Sequence, residues 1–303
     1  MSQSQPQGVY CASLTPMDAE LAPDLPRLIR HSKWLLASGC DGLGILGTTG
    51  EANSLSLSQR RTVIETACRE LPRDKLMPGV GSCAVADAIE LTRTAIAGGV
   101  KTVLCLPPFY YKGIADAGVE AFFDRIVQRI ADPGLRIYLY NFPQLTGYAF
   151  QLDSVARMRD RHGPIVAGMK DSSGDFANMK KFAEGLPGFR VFAGTEQYLA
   201  DILAVGGVGC ITATANVTAP WCAKVYAAKG EARTQAQAVL TALRLALQAK
   251  PLVPCLKGVI GRFTGDPIWN HMAPPMMKLA AADIDAVTAN LAKHGLTEMK
   301  LAA

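Results

Sequence analysis

Short apolar runs alternate with longer amphipathic stretches along most of this 303-residue chain. Each run has the length of a buried β-strand, and the stretches between them have helical patterns. The eight runs are residues 9–14, 42–46, 76–80, 102–106, 136–140, 165–169, 190–193 and 208–212. Because strands that alternate with helices pair in parallel through right-handed crossovers, this pattern predicts an α/β fold with a parallel sheet.

Helical patterns between the runs are found in residues 24–37, 58–71, 118–130 and 175–186. Pro26 lies near the start of the first helix, where proline is tolerated, and we expect Ser58 to be the N-cap of the second. Eight strand–helix units favour closure into a (β/α)8 TIM barrel. A doubly wound open sheet stays the alternative, since periodicity alone does not separate the two.

The strand pattern stops after about Pro220, and only helical patterns follow. They lie in residues 221–229, 231–248, 252–263 and 283–294. We therefore expect residues 1–229 to form the barrel that carries the active site. Residues 230–303 would form a C-terminal helical region that packs on the barrel and offers a surface for a subunit contact.

The composition is that of a globular enzyme with a substantial core, with 49% hydrophobic and 19% charged residues. No apolar stretch approaches the roughly 18 residues of a membrane helix, and the polar N-terminus lacks the features of a signal peptide. We expect a cytoplasmic protein that binds no membrane. The net charge of +5 has no basic run behind it, so nucleic acid is not an expected partner.

The cysteines and histidines give no pattern typical of a metal site. The eight cysteines are scattered without a CxxC pair, and Cys105 and Cys210 lie inside apolar runs, so free structural thiols are expected. The four histidines have no metal-ligand spacing, and surface or loop positions are expected for all of them. They are His31, His162, His271 and His294.

Two glycine-containing patterns overlap near the second run. Residues 42–47 match G-x-G-x-x-G, but these glycines lie inside the run and open no helix, which argues against a dinucleotide site. Residues 47–51, Gly-Thr-Thr-Gly-Glu, combine two hydroxyls with two flexible positions at the end of a strand. Such a turn can present N–H and O–H donors to a carboxylate or an oxyanion, although an ordinary β-to-α turn would have the same sequence.

Two further residues close apolar runs at the same predicted face. Tyr140 ends the fifth run, where its phenol could transfer a proton, and Lys170 directly follows the sixth. Burial disfavours an ammonium ion, so an amine at this place could be free to attack a ketone and form an imine. Because barrel active sites are built at the carboxyl ends of the strands, these residues and the turn at 47–51 are expected to meet there.

With these residues in order, the chain resembles the dihydrodipicolinate synthase and N-acetylneuraminate lyase superfamily of class I, Schiff-base aldolases. The resemblance extends from about Gly8 to Gly295. It rests on residues 47–51, 108–110 (Pro-Phe-Tyr), 140–143 (Tyr-Asn-Phe-Pro), 168–171 (Gly-Met-Lys-Asp) and 209–216.

The resemblance implies a small 2-oxo acid substrate that forms a covalent imine with Lys170, with no other cofactor and no metal. It implies that Tyr140 shuttles protons and that Thr48 and Thr49 hold the pyruvate carboxylate. Tyr110 would reach across a tight-dimer interface to complete the proton relay. Ile211 would border the imine pocket. Members of the superfamily are commonly homotetramers built as dimers of dimers.

The chain departs from dihydrodipicolinate synthases at one position that bears on substrate choice. Leu145 stands where those enzymes have an arginine that binds the carboxylate of aspartate semialdehyde, and leucine cannot form that bidentate pair. We therefore expect reversible cleavage of a 2-keto-3-deoxy sugar acid or a similar hydroxy-2-oxo acid. The alternatives are 4-hydroxy-tetrahydrodipicolinate synthase, a 2-keto-3-deoxy acid dehydratase, and a barrel that binds a ligand without turnover.

A loop after the seventh run would bind the hydroxyls of such a substrate. The resemblance places Gly194, Thr195 and Glu196 where lyases of the superfamily hold the polyol chain. A helix cap formed by Thr195 and Glu196 explains the same sequence equally well.

Overall fold

Seven parallel strands form the wall of a barrel. The computed structural model describes residues 5–299. Its strands are β1 (Gly8–Ala12), β2 (Gly42–Gly44), β3 (Thr102–Cys105), β4 (Arg136–Asn141), β5 (Val166–Asp171), β6 (Arg190–Ala193) and β7 (Gly209–Thr212). They lie side by side in the order β2-β1-β7-β6-β5-β4-β3. The barrel predicted from the sequence is thereby confirmed.

Residues 76–80, the third predicted run, join the two edges of this sheet. Leu76 bridges Leu43 in β2, and Gly79 bridges Leu104 in β3, both in parallel. The N–H of Leu104 donates to the carbonyl of Pro78 at 3.0 Å. Because Pro78 has no N–H of its own, the segment cannot continue the ladder as a full strand.

Helices cover the outside of the barrel and continue beyond it. They are α1 (Leu25–Ala37), α2 (Leu57–Glu70), α3 (Val85–Ala97), α4 (Asp116–Ile130), α5 (Pro143–Thr146), α6 (Leu152–His162), α7 (Phe176–Gly185), α8 (Leu199–Ala204), α9 (Ala215–Ala227), α10 (Gly230–Gln248), α11 (Leu252–Thr264) and α12 (Ala281–Ala292). A second apolar cluster joins α10, α11 and α12 to Leu14 and Val217 of the barrel. The predicted boundary at residue 229 falls between α9 and α10 and stays a prediction.

Two predicted helix starts are wrong. Ser56, not Ser58, caps α2: its hydroxyl accepts from the Gln59 N–H at 3.2 Å, while the Gln59 side chain accepts from the Ser56 N–H at 2.9 Å. This reciprocal pair satisfies two N–H groups that a helix start would leave open. The helix predicted to begin at residue 221 begins at Ala215, so Pro220 lies inside α9.

The pairing of β4 with β5 contains an irregularity. Ile137 pairs with Val166, but Tyr138 pairs with Gly168, so Ala167 is an extra residue in β5. Val166 and Met169 pack outward among the helices. Strict alternation from Val166 would turn residue 170 outward as well, and the extra residue turns it into the barrel instead.

The interior of the barrel is aromatic and apolar. It is filled by Tyr10, Ala12, Met77, Leu104, Tyr138, Tyr140, Phe192 and Ile211. Tyr10 and Tyr138 each contact Phe192, with ring centroids 5.5 and 5.8 Å apart. This packed layer closes the barrel below the carboxyl ends of the strands and leaves room for chemistry only above it.

His31 contradicts the expectation that all four histidines lie on the surface or in loops. It is buried in α1, stacks on Trp34 and contacts the edge of Trp269. Its Nε2 lies 2.9 Å from Oδ1 of Asn216, an amide that also donates to the carbonyl of Ala12. Burial lowers the pKa of His31 to about 4, so the imidazole is neutral near pH 7.

All eight cysteines are free thiols, as predicted, and only Cys83 is exposed. Within residues 5–299, no single helix is long and apolar enough to cross a membrane; α10 and α11 reach the required length and composition only as a pair bent by 103°.

Gly168 offers a test of the β4–β5 arrangement. A Cβ at this position would lie 2.2 Å from the carbonyl oxygen of Arg190 and 2.6 Å from the Tyr138 ring. Gly168→Ala should therefore lower the free energy of unfolding in urea by about 2 kcal/mol or more. In Gly118→Ala the new Cβ meets nothing within 4 Å, so this control should be neutral or slightly stabilised. Equal effects of the two changes would contradict this account of β5.

Candidate active site

Lys170 and Tyr140 form the centre of the site. They are direct partners across β5 and β4, and each side chain is only 4% exposed. The amine of Lys170 lies 4.4 Å from the centroid of the Tyr140 ring. Both residues therefore lie at the carboxyl ends of their strands, above the apolar interior layer, as the sequence predicted.

The amine of Lys170 has no anionic partner. Within the described residues, no carboxylate lies close enough to form an ion pair with it. The adjacent Asp171 points to the other side of β5, where its carboxylate accepts from the Ser173 N–H at 2.7 Å and from Asn178. Burial raises the pKa of Asp171, and these hydrogen bonds oppose the shift. Lys170 is thus a buried amine that is not held as half of a salt bridge.

The turn after β2 brings hydroxyls to the same place. Thr48 Oγ1 lies 3.5 Å from the hydroxyl of Tyr140. Thr49 is buried beside it, and the N–H of Glu51 donates to the carbonyl of Thr48 at 3.1 Å. Among the described residues, the N–H groups of Thr48 and Thr49 have no acceptor. The turn therefore keeps donors free for an anionic group next to Lys170.

The loop after β6 is tied to its own neighbours. The N–H of Gly194 donates to the Asp171 carbonyl at 2.6 Å, and Thr195 Oγ1 accepts from the Gln197 N–H at 3.3 Å. Thr195 therefore forms the N-terminal helix cap that the sequence analysis gave as the alternative to substrate binding. A role for Gly194 and Thr195 in binding a substrate stays a prediction.

Glu196 is buried and bound by its neighbours. Its carboxylate is fully buried, accepts from the hydroxyls of Thr212 and Thr214, and pairs with Arg244 of α10 at 3.3 Å. Thr212 follows Ile211 in β7 and faces the other side of the strand, whereas Ile211 lines the barrel interior. The position of Ile211 beside an imine pocket stays a prediction. The carboxylate of Glu196 is thus bound by three protein groups, and its predicted contact with substrate stays a prediction.

Two further predicted residues lie apart from Lys170. Tyr110 is 74% exposed and contacts Tyr111 edge-on, with ring centroids 5.3 Å apart. A single chain therefore does not bring Tyr110 to Tyr140, and its role in a dimer stays a prediction. Leu145 is 52% exposed on the short helix α5, directly after Tyr140 and its neighbours. Position 145 therefore offers no guanidinium that could bind a second carboxylate.

The sequence reasoning missed a lysine behind the site. Lys257 in α11 is fully buried and forms an ion pair with Glu51, the last residue of the Gly-Thr-Thr-Gly-Glu turn. The indication available was a lysine at the centre of the otherwise apolar first three turns of Leu252–Thr264, whose only other charge is Arg262 in the last turn. Within residues 5–299, no group of three or more His, Cys, Asp or Glu side chains is placed to hold a metal ion.

Taken together, the geometry supports amine chemistry. A buried amine faces a phenol and a hydroxyl that could move a proton, next to free N–H donors that suit a carboxylate. Such a set can bind a 2-oxo acid by its carboxylate and present its ketone carbon to Lys170.

Comparison with known proteins places the chain in a family. Residues 5–294 match the model of the dihydrodipicolinate synthetase family. An uncharacterized DapA-like lyase of Chloroflexus aurantiacus is 31% identical over 94% of this chain and 96% of its own length. A probable 2-dehydro-3-deoxy-D-pentonate aldolase of Escherichia coli K12 is 29% identical over 87% of this chain and 89% of its own. The crystal structure of dihydrodipicolinate synthase from Agrobacterium tumefaciens superposes with a TM-score of 0.87 at 25% identity, covering 96% of this chain and 100% of that one. This chain belongs to the dihydrodipicolinate synthetase family and is a lyase of the class I aldolase type.

Proposed function

We propose that Lys170 captures pyruvate, or the pyruvyl part of a longer 2-oxo acid, as a Schiff base. The observation that carries this proposal is the buried amine of Lys170, which lies over Tyr140 and has no carboxylate partner within residues 5–299. An amine held as half of a salt bridge would first have to break that pair before it could attack a ketone.

In the proposed reaction, the amine attacks the ketone carbon and water leaves, which gives an iminium. When the substrate carries a hydroxyl two carbons away from the iminium carbon, that hydroxyl gives its proton to the Tyr140 oxygen while Tyr140 passes its own proton to Thr48. The bond between the third and fourth carbons then breaks, and the far fragment leaves as an aldehyde. The bonding electrons move into the iminium and form an enamine. Protonation of the enamine carbon and hydrolysis then release pyruvate and restore Lys170. Thr48 lies next to the Tyr140 hydroxyl and would pass the proton on.

We further propose that the substrate is a 2-keto-3-deoxy sugar acid or a similar hydroxy-2-oxo acid. Leu145 supports this choice, because its exposed apolar side chain offers no partner to a second carboxylate. The name of the Escherichia coli relative, an aldolase for a 2-dehydro-3-deoxy pentonate, points the same way. The alternatives are 4-hydroxy-tetrahydrodipicolinate synthase, which Leu145 disfavours, and dehydration of the same sugar acid.

A homo-oligomer, built as a dimer of dimers, is part of the proposal. The exposed pair Tyr110 and Tyr111 is what a partner subunit would cover, since two adjacent exposed aromatic side chains are costly to leave in water. No membrane or nucleic acid partner and no further cofactor are proposed, and the cytoplasmic location stays a prediction.

Borohydride trapping tests the imine. After reduction in the presence of pyruvate, peptide mass spectrometry should find a reduced pyruvyl adduct on Lys170 because only an imine at that amine can be reduced to a stable bond. Lys170→Arg keeps the positive charge but cannot form the imine, so it should give no adduct at this position. An adduct on another lysine, or none in the wild type, would remove the proposed mechanism.

Substrate choice can be tested with a panel of acids. The wild type should release pyruvate from 2-keto-3-deoxy sugar acids and should consume aspartate semialdehyde with pyruvate at least about tenfold more slowly. Leu145→Arg should raise consumption of aspartate semialdehyde by about tenfold, since a charge-assisted bidentate pair stabilises by about 1.5–3 kcal/mol. Leu145→Gln is the control, because it adds polarity without the charge.

Two results of this panel would change the proposed activity. Equal rates of the wild type with both substrate classes would show that residue 145 does not select the substrate. A dehydrated 2-oxo acid in place of pyruvate would identify carbon–oxygen rather than carbon–carbon cleavage.

A further inference from the structure

A buried ion pair connects the C-terminal helices to the turn that carries the two threonines. Lys257 of α11 pairs with Glu51, and neither side chain exposes any surface. The amine of Lys257 also donates to the carbonyl of His271 at 2.7 Å. Burial lowers the pKa of Lys257, and the Glu51 carboxylate opposes that shift. The Glu51 carboxylate therefore offsets part of the cost of burying the Lys257 amine.

Glu51 is held at several points. Its Oε2 accepts from the N–H of Ala273 at 3.0 Å, in the segment that follows α11. Its own N–H donates to the carbonyl of Thr48 at 3.1 Å. Its backbone is in the left-handed region, with φ 55°. This conformation is unfavourable for any residue other than glycine. Contacts to the side chain therefore have to keep the turn in this shape.

This turn is the part of the site with free donors. Thr48 and Thr49 stand immediately before Gly50 and Glu51, and the hydrogen bond from the Glu51 N–H to the Thr48 carbonyl ties the two ends of the turn together. The loop after β6 is fastened in a similar way, by Glu196 and Arg244 of α10. The C-terminal helices thus reach the catalytic face of the barrel through buried charges.

We propose that Lys257 is a positioning residue, which acts through Glu51 to hold Thr48 and Thr49 in the conformation that binds the carboxylate of the 2-oxo acid. The inference rests on the proposed function, since it assigns the carboxylate to this turn. A role in folding alone is the competing explanation, and the two differ in what a neutral replacement of the pair does.

Loss of one partner leaves a buried charge, whereas replacement of both by neutral residues of similar size often restores stability. In Lys257→Met, the melting temperature should fall. In the double variant Glu51→Gln with Lys257→Met, it should recover most of that loss. If the pair positions the turn, pyruvate binding should stay weak in the double variant although its stability has returned.

The measurement is the fraction of Lys170 trapped by borohydride as a function of pyruvate concentration. We expect the double variant to need about tenfold more pyruvate for half-maximal trapping, because a small displacement of binding groups is costly, with the adduct still on Lys170 at saturation. Glu120→Gln is the matched control. This change weakens another nearly buried ion pair, in which Glu120 of α4 contacts Arg157 of α6 at 2.6 Å. The pyruvate concentration for half-maximal trapping should stay unchanged.

The outcomes separate the two proposals. A stable double variant with wild-type half-saturation would overturn the positioning role and leave the imine mechanism intact. A tenfold shift in Glu120→Gln as well would also overturn it, because any loss of stability would then weaken binding. Absence of an adduct in the wild type would overturn the proposed function, and with it this assignment of Lys257.

Discussion

One extra residue in β5 determines the direction of the Lys170 amine. Ala167 has no partner in β4, because Ile137 pairs with Val166 and Tyr138 already pairs with Gly168. Without this bulge, residue 170 would lie on the same side of the strand as Val166, among the outer helices. The bulge instead sets Lys170 directly opposite Tyr140 inside the barrel. Gly168 permits the close approach, since a side chain there would meet both the neighbouring strand and the Tyr138 ring.

The rest of the site depends on that direction. Tyr140 stands on the strand beside Lys170, and the turn after β2 approaches from across the barrel, so that Thr48 reaches the Tyr140 hydroxyl. Each group is attached to a different strand end, and the apolar layer below excludes water from one side. The helices beyond the barrel add the buried charge pair of Glu51 and Lys257, which makes them part of the same structure rather than an independent appendage.

The sequence predicted what depends on local pattern. The alternation of runs predicted the barrel, and the positions of Thr48, Tyr140 and Lys170 after three runs predicted that they would meet. Features that depend on distant contacts could not be predicted. His31 is buried beside Trp34, Trp269 and Asn216, and this burial keeps its imidazole neutral. The Glu196 carboxylate is bound by Arg244 and two threonine hydroxyls. Neither spacing nor residue type shows such partners.

The account can be tested most directly by a crystal structure of this protein soaked with pyruvate. It predicts continuous electron density from Nζ of Lys170 to the second carbon of pyruvate, with the carboxylate bound at Thr48 and Thr49. Pyruvate bound without a covalent bond to Lys170, or bonded to a different lysine, would contradict it.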